Sequence, residues 1–184
     1  MRPDHSGWRT RGYLPHYDAA GEIQHIVFRL ADSLPAAVLA RVDVAPGPDR
    51  AEAAEAALDA GLGSRALANP AVAEIIRDGL LYFDSTRYRL LAWCVMPAHV
   101  HVLVQQAPGW RLEAVVQGWK SVSARRANLL LGRTGPFWAR EYFDRAMRSE
   151  QQTETTAAYI IANPVKAGLC KTPEAWPWSS ATPG

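Results

Sequence analysis

The sequence predicts an α+β sandwich, one antiparallel sheet of about four strands with helices packed on one face. Three observations carry this. The hydrophobic patterns run strand, helices, two strands, helix, strand, helix. The two central strand patterns, "YRLLAWCVM" and "HVHVLVQ", are joined only by "PA", a tight connection that suits antiparallel pairing. The long segments between the other strands carry amphipathic helical spacing.

Taken in order, residues 1–22 read as an irregular arm in which "GYLPHYDAAGE" supplies turn residues. "IQHIVFRL", Ile23 to Leu30, is a strand by its β-branched and aromatic content. "DSLPAAVLARV" opens a helix with Asp32 or Ser33 as its cap. "PGPDRAEAAEAALDAGLG" breaks on Pro and Gly, then gives an Ala/Glu-rich helix that ends at Gly61 or Gly63. "NPAVAEIIRDGLLYFD" is a further helix, with Asn69 as cap and Pro70 at its first position. "GWRLEAVVQGWKSVSARRANLLLG" is a long helix whose core stripe reads Leu112, Val115, Val116, Trp119, Val122, Leu129 and Leu130. "PFWAREYFDRAMR" is a strand or an extended segment, and "EQQTETTAAYIIAN" is a helix that Pro164 ends, because the residue before proline avoids helical geometry. The tail, 164–184, is a turn followed by a loose, Trp-anchored stretch.

With 184 residues, the chain is expected to form one domain spanning 1–184, large enough to bury a core. Hydrophobic content of 48% beside 21% charge places it among soluble globular proteins. Two cysteines, Cys94 and Cys170, make no disulfide framework and fit a reduced, cytoplasmic setting. The N-terminus lacks the apolar run of a signal peptide, and no stretch approaches the roughly 18–20 apolar residues of a membrane span. No long exposed apolar strand or heptad pattern asks for a partner, so a monomer is expected. Charge is uneven. Met1 to Thr86 holds eight Lys/Arg against twelve Asp/Glu, whereas Arg87 to Lys171 holds twelve against five. The basic half makes a polyanion the natural partner, or else is a solvated surface.

Chemistry concentrates in "MPAHVHVLVQ". Successive strand residues point to opposite faces, so His99 and His101 share one face while Val100 and Val102 share the other. The valines suit a core, and the histidines then face a ligand, a metal or solvent. His5, His16 and His25 lie in or just after the arm and none is spaced as a companion. In "AAYIIANPVKAGL", Tyr159 and Asn163 are four residues apart and project from one helix face. By itself that pair also reads as a half-buried Tyr and a helix-ending Asn. Taken together, two imidazoles and the Asn163 amide oxygen suit a divalent ion that leaves room for phosphate oxygens, with Tyr159 as nucleophile. Lys120, Arg125, Arg126, Arg140, Arg145, Arg148 and Lys166 are candidate phosphate contacts, and Trp138 and Tyr142 either stack on splayed bases or pack in the core.

"MPAHVHVLV" resembles the His-hydrophobic-His motif of single-tyrosine endonucleases and transposases, and "YIIANPVKAGL" resembles the tyrosine helix of REP-associated tyrosine transposases. "FRLADSLP", "RYRLLAWCVMPAHVHVLV", "FWAREYFDRAMR" and "WPWSSA" look like that family in the same order, from about Gly12 to Ala181. The resemblance implies a ferredoxin-like fold and cleavage of single-stranded DNA at hairpin-forming repeats, with Mg²⁺ or Mn²⁺. It implies His99 and His101 as metal ligands, Asn163 as the third, and Tyr159 as the residue that carries a 5′-phosphotyrosine. The family's usual Asn before the first histidine is Ala98 here, from which a change in local turn geometry or DNA contact is expected.

Two other classes stay in view. One is a non-catalytic, domesticated protein that binds DNA or RNA hairpins. The other is a metal hydrolase of small molecules, which would need an acidic general base near the metal, and no Asp or Glu has persuasive spacing for it.

Overall fold

The computed structural model describes residues 7–10, 15–18, 21–44 and 47–182. Part of the expected irregular arm is regular. β1 (Gly7–Thr10) and β2 (Pro15–Asp18) pair antiparallel as a separate two-stranded sheet. His16 lies on β2, while His5 falls outside the described residues.

The main sheet has four strands, β3 (Ile23–Arg29), β4 (Tyr88–Val95), β5 (His99–Gln106) and β6 (Phe143–Ala146), in the order β4-β5-β3-β6. Every pairing is antiparallel. The β4–β5 connection is as tight as the sequence requires, with Met96 N–H donating to the His99 carbonyl at 2.9 Å. Between β3 and β4 lie α1 (Ala36–Val44), α2 (Gly47–Asp59) and α3 (Pro70–Leu81); α4 (Leu112–Leu131) joins β5 to β6, and α5 (Glu150–Lys166) follows β6. This β-α-β-β-α-β order is that of a ferredoxin-like sandwich with an added final helix.

Helices cover both faces, not one. On the first, Ile26, Phe28 and Leu30 of β3 and Val100, Val102 and Val104 of β5 pack with Val72, Ile76 and Leu80 of α3 and Val115, Val116 and Trp119 of α4. On the second, Leu103 of β5 joins Ala92, Cys94 and Met96 against Ile160 of α5. Strand alternation thus sends the valines to α3 and α4 and leaves the histidine face to α5.

Several elements differ in detail from the sequence reading. Asp32 and Ser33 do not cap α1: Ser33 Oγ donates to the Leu30 carbonyl at 2.7 Å, and Asp32 pairs with Arg133 at 2.8 Å. On α4, Leu112, Val115, Val116 and Trp119 are buried as expected, but the stripe continues through Ser123 and Ala127. Val122 and Leu129 are exposed because the 3.6-residue period carries them off the buried face, and Leu130 is exposed in the last turn, beyond Ala127, the last buried residue of the helix. Asn69 caps α3 as expected, accepting from Ala71 N–H at 3.0 Å. Pro164 does not end α5, which runs on to Lys166. Its missing N–H weakens only the last turn, which Gly168 (φ 69°) and a Leu169 N–H to Pro164 carbonyl bond of 2.8 Å close off. The tail is not loose: Val95 N–H donates to the Trp178 carbonyl at 2.8 Å and Ser180 N–H to the Trp93 carbonyl at 2.9 Å, which covers the outer edge of β4.

Candidate active site

Two elements set the site. β5 presents His99 and His101 on the face opposite its valines, and α5 lies across that face with Tyr159 and Asn163 one turn apart. Ser149 starts α5 by accepting from Gln152 N–H at 3.1 Å, while the Gln152 side chain accepts from Arg148 N–H at 2.8 Å. Because the helix continues through Pro164, Asn163 keeps helical geometry and stays buried.

The imidazoles are almost wholly enclosed, His99 at 1% and His101 at 0% exposure. Their Nε2 atoms stand 2.9 Å apart, and the ring centres of His101 and Tyr159 are 6.1 Å apart. The four residues singled out in the sequence therefore share one layer of the structure. Asn163 Nδ2 and His99 Nδ1 are buried without a hydrogen-bond partner, although the Asn163 amide lies close enough to Tyr159 to favour the phenolate.

Three further side chains complete the cluster. His25 Nε2 lies 3.1 Å from His101 Nδ1. It belongs to β3, beside β5, where Val27 pairs with His101. Such a contact fixes the tautomer of His101 and turns its Nε2 toward His99. Glu55 and Asp59, one turn apart on α2, reach in from the side. Glu55 Oε1 lies 3.2 Å from His101 Nε2 and accepts the Tyr159 hydroxyl hydrogen bond. Asp59 Oδ1 lies 3.7 Å from His99 Nε2. Leu58 of the same helix packs with Leu34 against Ala98, which is 2% exposed, so the turn before His99 is one of the seats on which α2 rests.

Burial governs the charge states. It lowers the pKa of His99 to about 3 and, helped by the nearby Arg145 charge, that of His25 to about 4. His101 falls well below its ordinary value, by burial first and then by the other two imidazoles. All three are neutral at pH 7, the form that ligates metals. The Tyr159 hydroxyl is shifted upward, mainly by burial, then by its bond to Glu55 and that carboxylate's charge. Burial also raises Asp59, against the pull of Lys166. Lys166 Nζ stands 4.2 Å from the Tyr159 ring centre.

The basic and aromatic candidates divide. Arg145 sits opposite His25 in the strand register, so it belongs to the histidine layer, and it lines a groove with Ser149, Gln151, Gln152, Thr155 and Thr156. Arg148, just before α5, and Lys166, at its end, are exposed. Arg125, Arg126 and Arg140 are exposed too, but Arg125 and Arg126 stand on α4, which packs on the other face. Lys120 is corrected: it is buried, with Nζ donating to the carbonyls of Ala139 at 2.7 Å and Arg140 at 2.8 Å, and is not presented to phosphate. Trp138 and Tyr142 are corrected as well. Both are core residues, and Trp138 packs on Phe28 and donates to Ser123 Oγ at 2.9 Å.

His25, Glu55 and Asp59 escaped the sequence reading. Alternation from Ile26 and Phe28 puts His25 on the histidine face, but only once β3 is known to lie beside β5. Glu55 and Asp59 have the i, i+4 spacing of any solvated helix face, so nothing marked them. The small-molecule hydrolase reading asked for an acidic group near the imidazoles; two are present, Glu55, which is bonded to Tyr159, and Asp59 beside His99.

The family profile described as "Transposase IS200 like" matches residues 69–163, from the Asn69 cap to Asn163. The chain belongs to the IS200-like transposase family. The matched stretch contains His99, His101, Tyr159 and Asn163, whereas His25, Glu55 and Asp59 precede it. No curated protein sequence matches this IS200-like chain. Among solved structures, it is similar to a REP-associated tyrosine transposase bound to a REP hairpin, with TM-score 0.59, 17% identity, and coverage of 90% of this chain and 79% of that one. That similarity shows a shared fold. A Deinococcus radiodurans protein assigned as a candidate transposase aligns at 20% identity over 84% of this chain and 96% of its own, with TM-score 0.40. Among the described residues, no helix is long and apolar enough to cross a membrane.

Proposed function

We propose that this protein is a metal-dependent single-stranded DNA endonuclease and strand transferase that acts at hairpin-forming repeats through a covalent 5′-phosphotyrosine on Tyr159. The observation that carries the reading is the seating of the Tyr159 helix on the His99/His101 face, with ring centres 6.1 Å apart. The donor set suits a divalent cation. Cis donors on an octahedral ion bound at about 2.1 Å lie about 3 Å apart, and the two Nε2 atoms are separated by 2.9 Å. The Glu55 carboxylate beside the pair is taken up by the Tyr159 hydroxyl, which leaves a place for a donor of another type. Asn163, a buried carboxamide with an unpartnered end, fits that need. Amide oxygen and nitrogen exchange places by a flip of the side chain, which would turn Oδ1 to the unpartnered position. Mn²⁺ or Mg²⁺ held there would polarise the scissile phosphodiester. Imidazole donors favour Mn²⁺ over Mg²⁺.

The chain's own residues do the rest. Tyr159 Oη attacks phosphorus, the bond to the 3′-oxygen breaks, and the 5′ side of the DNA is left joined to the protein. Because the phosphoester bond is exchanged and not hydrolysed, a 3′-hydroxyl can later reverse the step without ATP. Lys166 and Arg145, the cations on this layer, offset the phosphate charge. The hairpin bound by the structurally similar REP-associated transposase supports a folded single strand as substrate. A labelled single-stranded hairpin incubated with Mn²⁺ tests the reading. A covalent protein–DNA band that Tyr159→Phe eliminates supports it. Hairpin binding with no adduct would favour a non-catalytic binder.

A further inference from the structure

We infer that Glu55 is the proton acceptor for Tyr159, a catalytic residue supplied by α2 from outside the matched family segment. The inference rests on Tyr159 being the nucleophile. A phenol attacking phosphorus must lose its proton as the O–P bond forms, and a base within hydrogen-bond reach of that proton is the requirement. Glu55 meets it: its Oε1 accepts directly from the Tyr159 hydroxyl, with 22% of its side chain exposed.

The placement is built. Glu55 lies one turn from Leu58, which seats α2 against Ala98 and Leu34, at the turn that starts the histidine strand. The same carboxylate oxygen lies 3.2 Å from His101 Nε2, so base, nucleophile and histidine pair are fixed to one another. His25 lies 3.1 Å from His101 through Nδ1, and its ring centre is 6.5 Å from that of Tyr159. His25 holds His101 in place through that contact, while Glu55 is the group bonded to the hydroxyl. Asp59 reaches toward His99 and leaves Glu55 as the carboxylate at the nucleophile.

The step balances. The Tyr159 O–H proton passes to the Glu55 carboxylate as Oη bonds to phosphorus. The P–O3′ bond breaks, its electron pair stays on O3′, and that oxygen takes a proton from solvent water. On reversal the 3′-hydroxyl attacks, its proton leaves to water, and Glu55 returns the proton to Tyr159. No oxidant, reductant or nucleotide enters.

The test is single-turnover adduct formation on a labelled single-stranded hairpin with Mn²⁺, comparing wild type, Glu55→Gln, Glu55→Asp, Glu55→Ala and Tyr159→Phe. Glu55→Gln keeps the shape and should slow adduct formation by about 10²–10⁴-fold, while hairpin affinity and Mn²⁺ affinity by calorimetry stay within about twofold. Glu55→Asp should retain more of the rate. Added formate or acetate should restore at least about tenfold in Glu55→Ala, a response that a merely structural carboxylate would not give. Normal rates in Glu55→Gln would overturn the assignment. So would a large loss of Mn²⁺ affinity without carboxylate rescue, which would make Glu55 a metal ligand. Failure of wild type to form an adduct at Tyr159 would instead refute the nucleophile, and the base with it.

Discussion

Lowering the pH from 7.5 to 5.5 should remove about 3–4 kcal/mol of folding stability when metal is chelated. Three imidazoles are responsible. His25, His99 and His101 are all pushed down by burial, the first two to about 4 and about 3. In the unfolded chain each titrates near pH 6.5, so at pH 5.5 the unfolded state has taken up nearly three protons that the folded state refuses. One pH unit below that value, each site contributes about 1.4 kcal/mol in favour of unfolding. The sign follows: these groups give stability that is present above pH 6.5 and is lost progressively as pH falls toward the folded values. Asp59, raised by burial, acts the other way and reduces the total somewhat. Against a typical stability of about 5–15 kcal/mol the loss is large. Urea unfolding in EDTA at half-unit pH steps measures it, and His25→Gln should remove about a third of the slope. A wild-type protein that loses less than about 1 kcal/mol over this range would refute the picture of three imidazoles held neutral.

Other expected outcomes follow from the site and its surroundings. His99→Ala and His101→Ala should each abolish adduct formation while hairpin affinity survives, because most affinity comes from phosphate contacts elsewhere; normal cleavage by either variant in Mn²⁺ would remove that histidine from the ligand set. Lys120→Met should lower stability by about 1–3 kcal/mol, since two part-buried carbonyls lose their donor, and should leave the salt dependence of hairpin binding unchanged. Arg145→Gln should reduce the salt slope of binding by about one, and a filter-binding series in KCl separates the two.

Local signals in the sequence located much of this. The Asn69–Pro70 start of α3, the β4–β5 hairpin and the face shared by the two histidines all follow from cap chemistry and strand period. Tyr159 and Asn163 share a face because four residues make about one turn, and they meet the imidazoles because α5 crosses that face of the sheet. Long-range geometry was not legible. His25 joins the site through β3–β5 pairing, and Glu55 and Asp59 through the docking of α2 beside Ala98. Composition misled where a side chain had two readings. Trp138 and Tyr142 are aromatic enough to stack on bases, yet burial against Phe28 and α4 claims them. Lys120 looked like a surface cation, but its stem runs inward to the carbonyls after Trp138. On α4 the apolar Leu129 lies off the buried face and Leu130 lies past its last buried residue, while the small Ser123 and Ala127 let the helix approach the core. Pro164 read as a stop because the preference before proline is only statistical and the last turn tolerates the lost bond.

The nucleophile is the central claim, and peptide mapping of the trapped protein–DNA adduct tests it most directly. After reaction of a labelled single-stranded hairpin in Mn²⁺ and digestion of both polymers, the phosphonucleotide should reside on the peptide that contains Tyr159. It should be absent from Tyr159→Phe, a variant that should still fold and bind the hairpin. Tyr142 is flanked by Arg140 and Arg145 but lies 9% exposed in the opposite core, so Tyr142→Phe should leave the adduct in place. Phosphotyrosine on the peptide containing Tyr142, or an adduct that persists in Tyr159→Phe, would contradict the assignment.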